Sequence, residues 1–281
     1  MDVIFGLGQA GCNIARRFEQ YSQYDVYKID AGRRGKNCIS IPKKPSHEAY
    51  NAAEYPKFEE IAKEYEDRDV LFVIGGSGNI SGASLKIIKH FDQSRVNVLY
   101  VSSDPSLLTD IRFLQDRATF HILQEYARSG MVNCIYLVSN KQIEDMVGGI
   151  PVKKYFDTIN EHIVSSIHMT NIFRNTKAVI NNISDVSEIC RIATFGLMDV
   201  DSGTENLFFP IDNLVNKCYH YAIVDKDLDE DKNLLKNIKK QVLSQSSGKI
   251  RASYSIHSSK YDRNLCYLTA FSSQVQKYEN I

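Results

Sequence analysis

Short apolar runs that end in glycine, serine or a lone carboxylate, each leading into a helical pattern, constrain this chain most. Asp2–Phe5, Asp25–Ile29, Val70–Ile74, Asn97–Val101 and Cys134–Val138 read as strands, with Lys36–Ile41 as a further short one. Cys12–Tyr21, Ala49–Glu66 (interrupted at Pro56), Ala83–Phe91 and Leu107–Arg128 carry helical periodicity between them. Apolar, β-branched strands alternating with helices predict an α/β fold with a Rossmann-like parallel sheet covered on both faces. Ligands of such sheets sit beyond the carboxyl ends of the strands. Here those ends carry Gly6–Gly11, Asp30, Gly75–Gly82, Ser102–Pro105 and Ser139-Asn140.

A long helix is expected from Pro151 to about Asn171, with Phe156, Ile159, Ile163 and Ile167 along one face. The pattern then changes. Arg191–Leu197 and Tyr219–Val224 read as strands, and Asn206–Cys218 and Asp229–Leu243 as helices. Lys249–His257 and Leu265–Phe271 read as an antiparallel pair joined by a charged turn at Lys260–Asn264. The expected division is therefore residues 1–171, a ligand-binding domain with its long helix, and residues 172–281, a smaller α+β domain.

Charge and cysteine content exclude several classes. Lys+Arg and Asp+Glu are 34 each, so the net charge is zero, which argues against nucleic-acid binding through bulk charge. No stretch approaches the ~20 apolar residues of a membrane span, and the start of the chain lacks the basic and apolar blocks of a signal peptide. Six scattered cysteines without a CxxC pair read as reduced thiols, so a cytoplasmic protein is expected. No metal site is expected, since His162 and His168 lie on different faces of the long helix and no histidine sits near the cysteines at ligand spacing.

The chemistry concentrates in two loops. Gly6-Leu7-Gly8-Gln9-Ala10-Gly11 is a complete G-x-G-x-x-G between a strand and a helix. Glycines let a backbone approach phosphate, and a helix start offers free N–H groups. With Asp30 at the next strand end, this half alone fits a dinucleotide, and a tight turn with no ligand also satisfies it. Gly75-Gly76-Ser77-Gly78-Asn79-Ile80-Ser81-Gly82 is a second loop of the same kind at a later strand end. It is outside the dinucleotide fingerprint, and no G-K-[ST] follows to make it a P-loop. Two such loops suit a compact polyphosphate gripped from two sides by backbone amides.

This combination resembles the tubulin/FtsZ superfamily. Residues 3–18 resemble the family's first nucleotide loop and helix: Gly8-Gln9 is similar to the tubulin side and Gly11-Cys12-Asn13 to the FtsZ side. Ile29-Asp30-Ala31 resembles the second strand end, and Gly78–Ser84 the signature loop, with Ser81-Gly82 on its Thr-Gly. Val138-Ser139-Asn140-Lys141 resembles the ribose-side loop. Phe156–Ile163 resembles the start of the central helix, with Asn160 on the residue that reads the guanine edge. The resemblance implies GTP or GDP as ligand, with Mg2+ as its candidate counter-ion. It implies contacts from Gly8, Gln9, Ala10, Gly11, Asn13, Asp30, Gly76, Gly78, Asn79, Ile80, Ser81, Gly82, Asn140, Phe156 and Asn160. The departures are Asn79 and Ile80, where the family usually has glycine, and a γ-phosphate loop near Pro45–Asn51 that has no glycine. They suggest a short, divergent member of the kind carried by phages or plasmids.

The family completes hydrolysis between subunits with an acidic loop of the form N-x-D-x-x-[DE]. Ile180-Asn181-Asn182-Ile183-Ser184-Asp185 corresponds to it, with Asp185 on the last acid and Asn182 in place of the middle one. Asp185 and Asn182 are thus the implied catalytic positions; Asp185 equally suits a cap on an expected helix Val186–Ile192. The resemblance implies a head-to-tail filament of this protein with itself, without direct nucleic-acid or membrane partners. Two alternatives stay open: a non-hydrolysing partner or decoy of another tubulin-like polymer, and an NAD(P)-dependent oxidoreductase built on Gly6–Gly11 and Asp30.

Overall fold

The computed structural model describes residues 1–280; Ile281, the last residue of the expected second domain, lies outside the described residues. The first half alternates strands and helices in the expected order. β1 (Val3–Leu7), α1 (Gly8–Phe18), β2 (Asp25–Ala31) and β3 (Cys38–Ile41) are followed by α2 (His47–Ala52), α3 (Lys57–Lys63) and β4 (Asp69–Gly75). Then come α4 (Ser84–Ile88), β5 (Arg95–Ser102), α5 (Asp110–Arg128), β6 (Cys134–Ser139), α6 (Asn140–Val147) and the long α7 (Tyr155–Asn175). The second half holds β7 (Ile180–Asn182), β8 (Ile192–Met198), β9 (Glu205–Leu207), β10 (Leu214–Val224), α8 (Asp225–Glu230), α9 (Leu234–Gln245), β11 (Arg251–Ser259) and β12 (Leu265–Ser272).

These strands form one sheet in the order β3-β2-β1-β4-β5-β6-β8-β12-β10-β11-β7, with β9 paired to β8. From β3 to β6 every pairing is parallel, in the doubly wound order that reverses direction beside β1. Alternation along β4 shows how both faces are filled. Val70, Phe72 and Ile74 join the core under α2–α5, whereas Leu71 and Val73 join the core under α1 and α7. Phe5 stacks on Phe72 at 5.1 Å and on Tyr27 at 5.2 Å, an aromatic ladder across three strands. On the other face Ile159, Ile163, Val164 and Ile167 of α7 are buried. Arg17 of α1 pins that helix through Asp157 at 2.5 Å and Glu161 at 2.9 Å.

The second half departs from its sequence pattern in three places. The expected helix Asn206–Cys218 is extended chain: adjacent Phe208 and Phe209 enter opposite cores, as successive residues of a helix cannot, and Pro210 favours extension in the residue before it. The expected hairpin is split, because β10 lies between β11 and β12, parallel to the first and antiparallel to the second. β10 is buried over nearly its whole length, as a strand with a neighbour on each side is, and β12 beside it is buried likewise, whereas β11 is exposed towards both ends. No helix forms over 186–192; the chain there is irregular until β8 begins at Ile192. In the first half β1 runs on through Leu7, so Gly6 belongs to the strand, and α6 is a helix that the sequence pattern did not announce. A 3-10 turn over Asn79–Ala83 leads into α4, and the end of the expected helix Ala83–Phe91 is also 3-10, over Lys89–Phe91.

β6 and β8 join the two halves over just two residue pairs, Ile135–Ile192 and Tyr136–Ala193. The aromatic ladder predicts a large cost for opening the first core. Phe72→Ala should lose about 3–5 kcal/mol in urea unfolding, and a loss below about 1 kcal/mol would contradict the ladder's role.

Candidate functional site

The first glycine loop is a strand that becomes a helix without an intervening turn. A Cβ on Gly6 would lie 2.3 Å from the Gly11 carbonyl oxygen, and one on Gly11 would lie 2.3 Å from the Val73 carbonyl oxygen. Both glycines therefore exist to bring α1 against β1 and β4. Gly8 has a different duty: its φ of +70° turns the chain into the helix. Leu7, at the N-cap position, supplies no side-chain acceptor, and the first turn of α1 has no acidic residue. Gln9 and Ala10 are exposed there, so the first amides of α1 are open to an anion. Asn13 is half-buried one turn on. Cys12 is buried and its thiol donates to the Gly6 and Ile29 carbonyls; burial pushes it up to about 11, which leaves it an inert tie between strands. Asp30 is partly committed, with Oδ1 accepting from the Ala31 amide at 2.8 Å and Oδ2 lying 3.7 Å from Arg33.

The second loop follows β4 on the adjacent strand and leans on the first. Ile80 is half-buried, with its side chain laid against Gly8; a Cβ on Gly8 would come within 2.4 Å of Ile80 Cγ2. Ile80, one of the two departures from glycine, is thus folded toward the core, while Gly78 and the other, Asn79, remain exposed. Ser81 is buried and donates to the carbonyls of Gly76 at 2.9 Å and Gly78 at 2.7 Å, so its hydroxyl staples the loop and does not face outward. Gly82 admits the start of α2, where a Cβ would meet the His47 carbonyl oxygen at 2.2 Å. Gly76 admits Asp116, whose Oδ1 would be 2.1 Å from a Cβ there.

Two strands further along the rim, Ser139 caps α6 by accepting from the Gln142 amide. Asn140 opens that helix, and its Oδ1 is buried without a protein partner, which is what an acceptor awaiting a ligand donor looks like. Tyr155 donates to Glu144 at 2.9 Å and ties α7 to α6; behind it Asn160 is half-buried and Phe156 is 66% exposed. Because β1, β4, β5 and β6 are neighbours in register, the glycine loops and Asn140 share one rim. Three strand spacings separate its ends, about 14 Å, a span that suits one nucleotide.

The Asp185 loop lies elsewhere. Asn182 ends β7, an edge strand paired to β11, and Asn181 folds back to accept from the Ile183 amide. Asp185 is exposed, and with no helix after it the capping role falls away. Behind the loop is a cavity of about 550 Å³ whose wall includes Asn133, Arg174, Arg191 and His220. Burial pushes the His220 imidazole down to about 3, so it is neutral at physiological pH. Asn133 and Arg191 precede the amino ends of β6 and β8, whereas the glycine loops follow the carboxyl ends of β1 and β4. The two groups of residues are therefore separated by the length of the sheet, roughly 20 Å.

Solved structures settle the architecture. GDP-form protofilaments of Bacillus thuringiensis serovar israelensis TubZ match at a TM-score of 0.75 and 16% identity, over 98% of this chain and 88% of that one. A GTPγS-bound CetZ2 protofilament from Haloferax volcanii matches at 0.73 and 16%, over 99% and 94%. An empty FtsZ dimer from M. jannaschii matches at 0.72 and 14%, over 96% and 87%. The chain has the tubulin/FtsZ fold. No family model and no curated protein matches its sequence.

Within the tubulin/FtsZ fold, the rim brings together Gly8, Gln9, Ala10, Gly11, Gly76, Gly78, Asn79 and Asn140, and turns Ser81 and Ile80 inward. Open amides, the glycine at +70° and the unpartnered Asn140 acceptor fit a nucleotide phosphate and sugar. Among the described residues no group of three or more His, Cys, Asp or Glu side chains could hold a metal ion. Sequence reasoning missed Asp116. The signal was a charge in register with the apolar face Phe120, Leu123 and Ala127 of α5.

The Gly8–Ile80 contact yields a coupled prediction. Gly8→Ala should destabilise the protein by about 1–3 kcal/mol through backbone strain and the clash. Adding Ile80→Ala should recover at least ~0.5 kcal/mol relative to the sum of the single effects. Strict additivity in thermal unfolding would show that the two loops do not touch.

Proposed function

We propose that this protein binds a guanine nucleotide and assembles head to tail into filaments, with hydrolysis completed across the contact between copies. The observation that carries this reading is the placement of its two functional groups at opposite ends of one sheet. Asp185 cannot reach the glycine loops of its own chain, but translation of a second copy along the strand direction would bring them together. Such a contact joins two different surfaces and repeats without closing.

In this reading the amides of Gly8–Gly11 and of Gly78 and Asn79 hold the phosphates, while Gly76, whose amide donates to the Val101 carbonyl, shapes the second loop. Asn140 meets the ribose, and Phe156 and Asn160 flank the base. Any Mg2+ would rest mainly on phosphate oxygens. Exposed Asp185 orients the attacking water on the neighbouring copy and accepts its proton; Asn182 can hydrogen-bond that water but cannot act as a base. Apolar side chains stand exposed at both ends, Val152 and Phe156 beside the nucleotide rim and Val179 and Ile189 flanking the Asp185 loop, as a repeated contact requires. The second cradle at β4 favours a compact triphosphate over a dinucleotide.

The test is GTP-dependent light scattering with phosphate release, for the wild type and Asp185→Ala. The variant should bind GTP as the wild type does, release phosphate about 100-fold more slowly, and form longer-lived filaments. Absence of a GTP response in both proteins would overturn the proposal. A second reading, a non-hydrolysing assembly partner, is favoured by Asn182 and by the inward hydroxyl of Ser81. It predicts assembly with equally slow phosphate release from both proteins.

A further inference from the structure

Beneath the second glycine loop lies a buried carboxylate that the nucleotide site does not use. Asp116 of α5 is fully buried against Gly76. Three hydroxyls donate to it: Tyr100 to Oδ1 at 2.7 Å, Ser102 to Oδ2 at 3.1 Å and Tyr278 to Oδ2 at 2.6 Å. The first two come from β5. The third comes from the segment after β12, a strap over 273–279 that climbs α5 from Gln124 to Asp116.

The strap is built into the molecule along that path. Gln276 is buried; its amide donates to Gln124 Oε1 at 2.7 Å, and its Oε1 accepts from the Asp212 amide at 2.6 Å. The Tyr278 ring sits edge-on between Phe113 at 5.2 Å and Phe120 at 5.5 Å. One helical turn from Asp116, Thr119 contacts Ser81 at 3.3 Å and His47 at 3.2 Å. The loop thus rests on α5 at two points, and the strap controls one of them.

We propose that Tyr278 and Asp116 form a latch that fixes the second glycine loop, so that the 273–279 strap sets how firmly this loop grips phosphate. Both are positioning residues. The geometry stands independently of the nucleotide reading; the consequence for binding rests on that reading. Charge balance explains why the latch is sensitive to one hydroxyl. Burial raises the Asp116 carboxyl above its ordinary range, and the bonds from Tyr278, Tyr100 and Ser102 oppose that rise. The titratable group packed on the same junction is His47 of α2, which touches Thr119 and Gly82 and whose imidazole is pushed below its ordinary range by burial, while Arg117 and Glu279 face one another at 3.9 Å on the exposed side. Without the Tyr278 hydroxyl, Oδ2 keeps one donor and the ionised form becomes harder to hold next to Gly76. Protonation relieves this, so the defect is largest above the raised pKa and fades as pH falls through it.

Tyr278→Phe keeps the ring packing and removes the hydroxyl. In nucleotide-free protein, hydrogen-exchange protection of residues 75–82 should fall about tenfold at pH 8 and less at pH 5, while α9 is unchanged. GTP affinity should weaken about fivefold at pH 8. Ser102→Ala should act in the same direction, and Asp116→Asn combined with Tyr278→Phe should remove the pH dependence. Unchanged protection of residues 75–82 in Tyr278→Phe, or equal loss across the whole chain, would overturn the latch. Loosening of the loop in a protein whose wild type ignores GTP would uphold the latch and refute the nucleotide reading.

Discussion

Two contacts with no room for a methyl group determine where everything else in the first half can lie. Gly6 meets Gly11, and Gly11 meets the backbone of β4, so α1 is pressed against two strands at the point where the sheet reverses direction. That closeness puts the open start of α1 next to the loop after β4. A side chain at either position would push the helix outward and separate the two loops. The rim can therefore present amides from two strand ends to one small anion without a lysine, because the backbone itself is close enough.

The loops then divide their polar groups between inside and outside. Ser81 turns its hydroxyl onto its own loop's carbonyls, Ile80 covers Gly8, and Asp116 supports Gly76 from below. Two small residues, Ala10 and Gly78, and two uncharged polar ones, Gln9 and Asn79, remain on the outer surface. Asn79 and Ile80 stand in a 3-10 turn, which places one side chain outward and the other against the core.

The first half was legible because its strands are short, apolar and separated by glycine or serine, so periodicity and punctuation agree. The parallel sheet, the rim and the order of the glycine loops all follow from that agreement. The second half was less legible because its signals conflict. The stretch Asn206–Cys218 reads as a helix in sequence, yet only extended chain can send the adjacent Phe208 and Phe209 into opposite cores. The position of β10 between β11 and β12 is a tertiary fact that adjacency in sequence obscures. The helix expected after Asp185 does not form, because how 186–192 packs is a tertiary matter that local sequence does not carry. Asp116 escaped notice because its partners come from β5 and from a segment more than 150 residues away.

The central claim is that the two ends of this sheet are halves of one site. Electron cryomicroscopy of the protein assembled with a slowly hydrolysed GTP analogue examines it directly. The expected result is a polar filament in which Asp185 of each copy faces the loops at Gly8 and Gly78 of the next, with nucleotide density between them. A filament held by lateral or two-fold contacts, with the Asp185 loop turned to solvent, would contradict it.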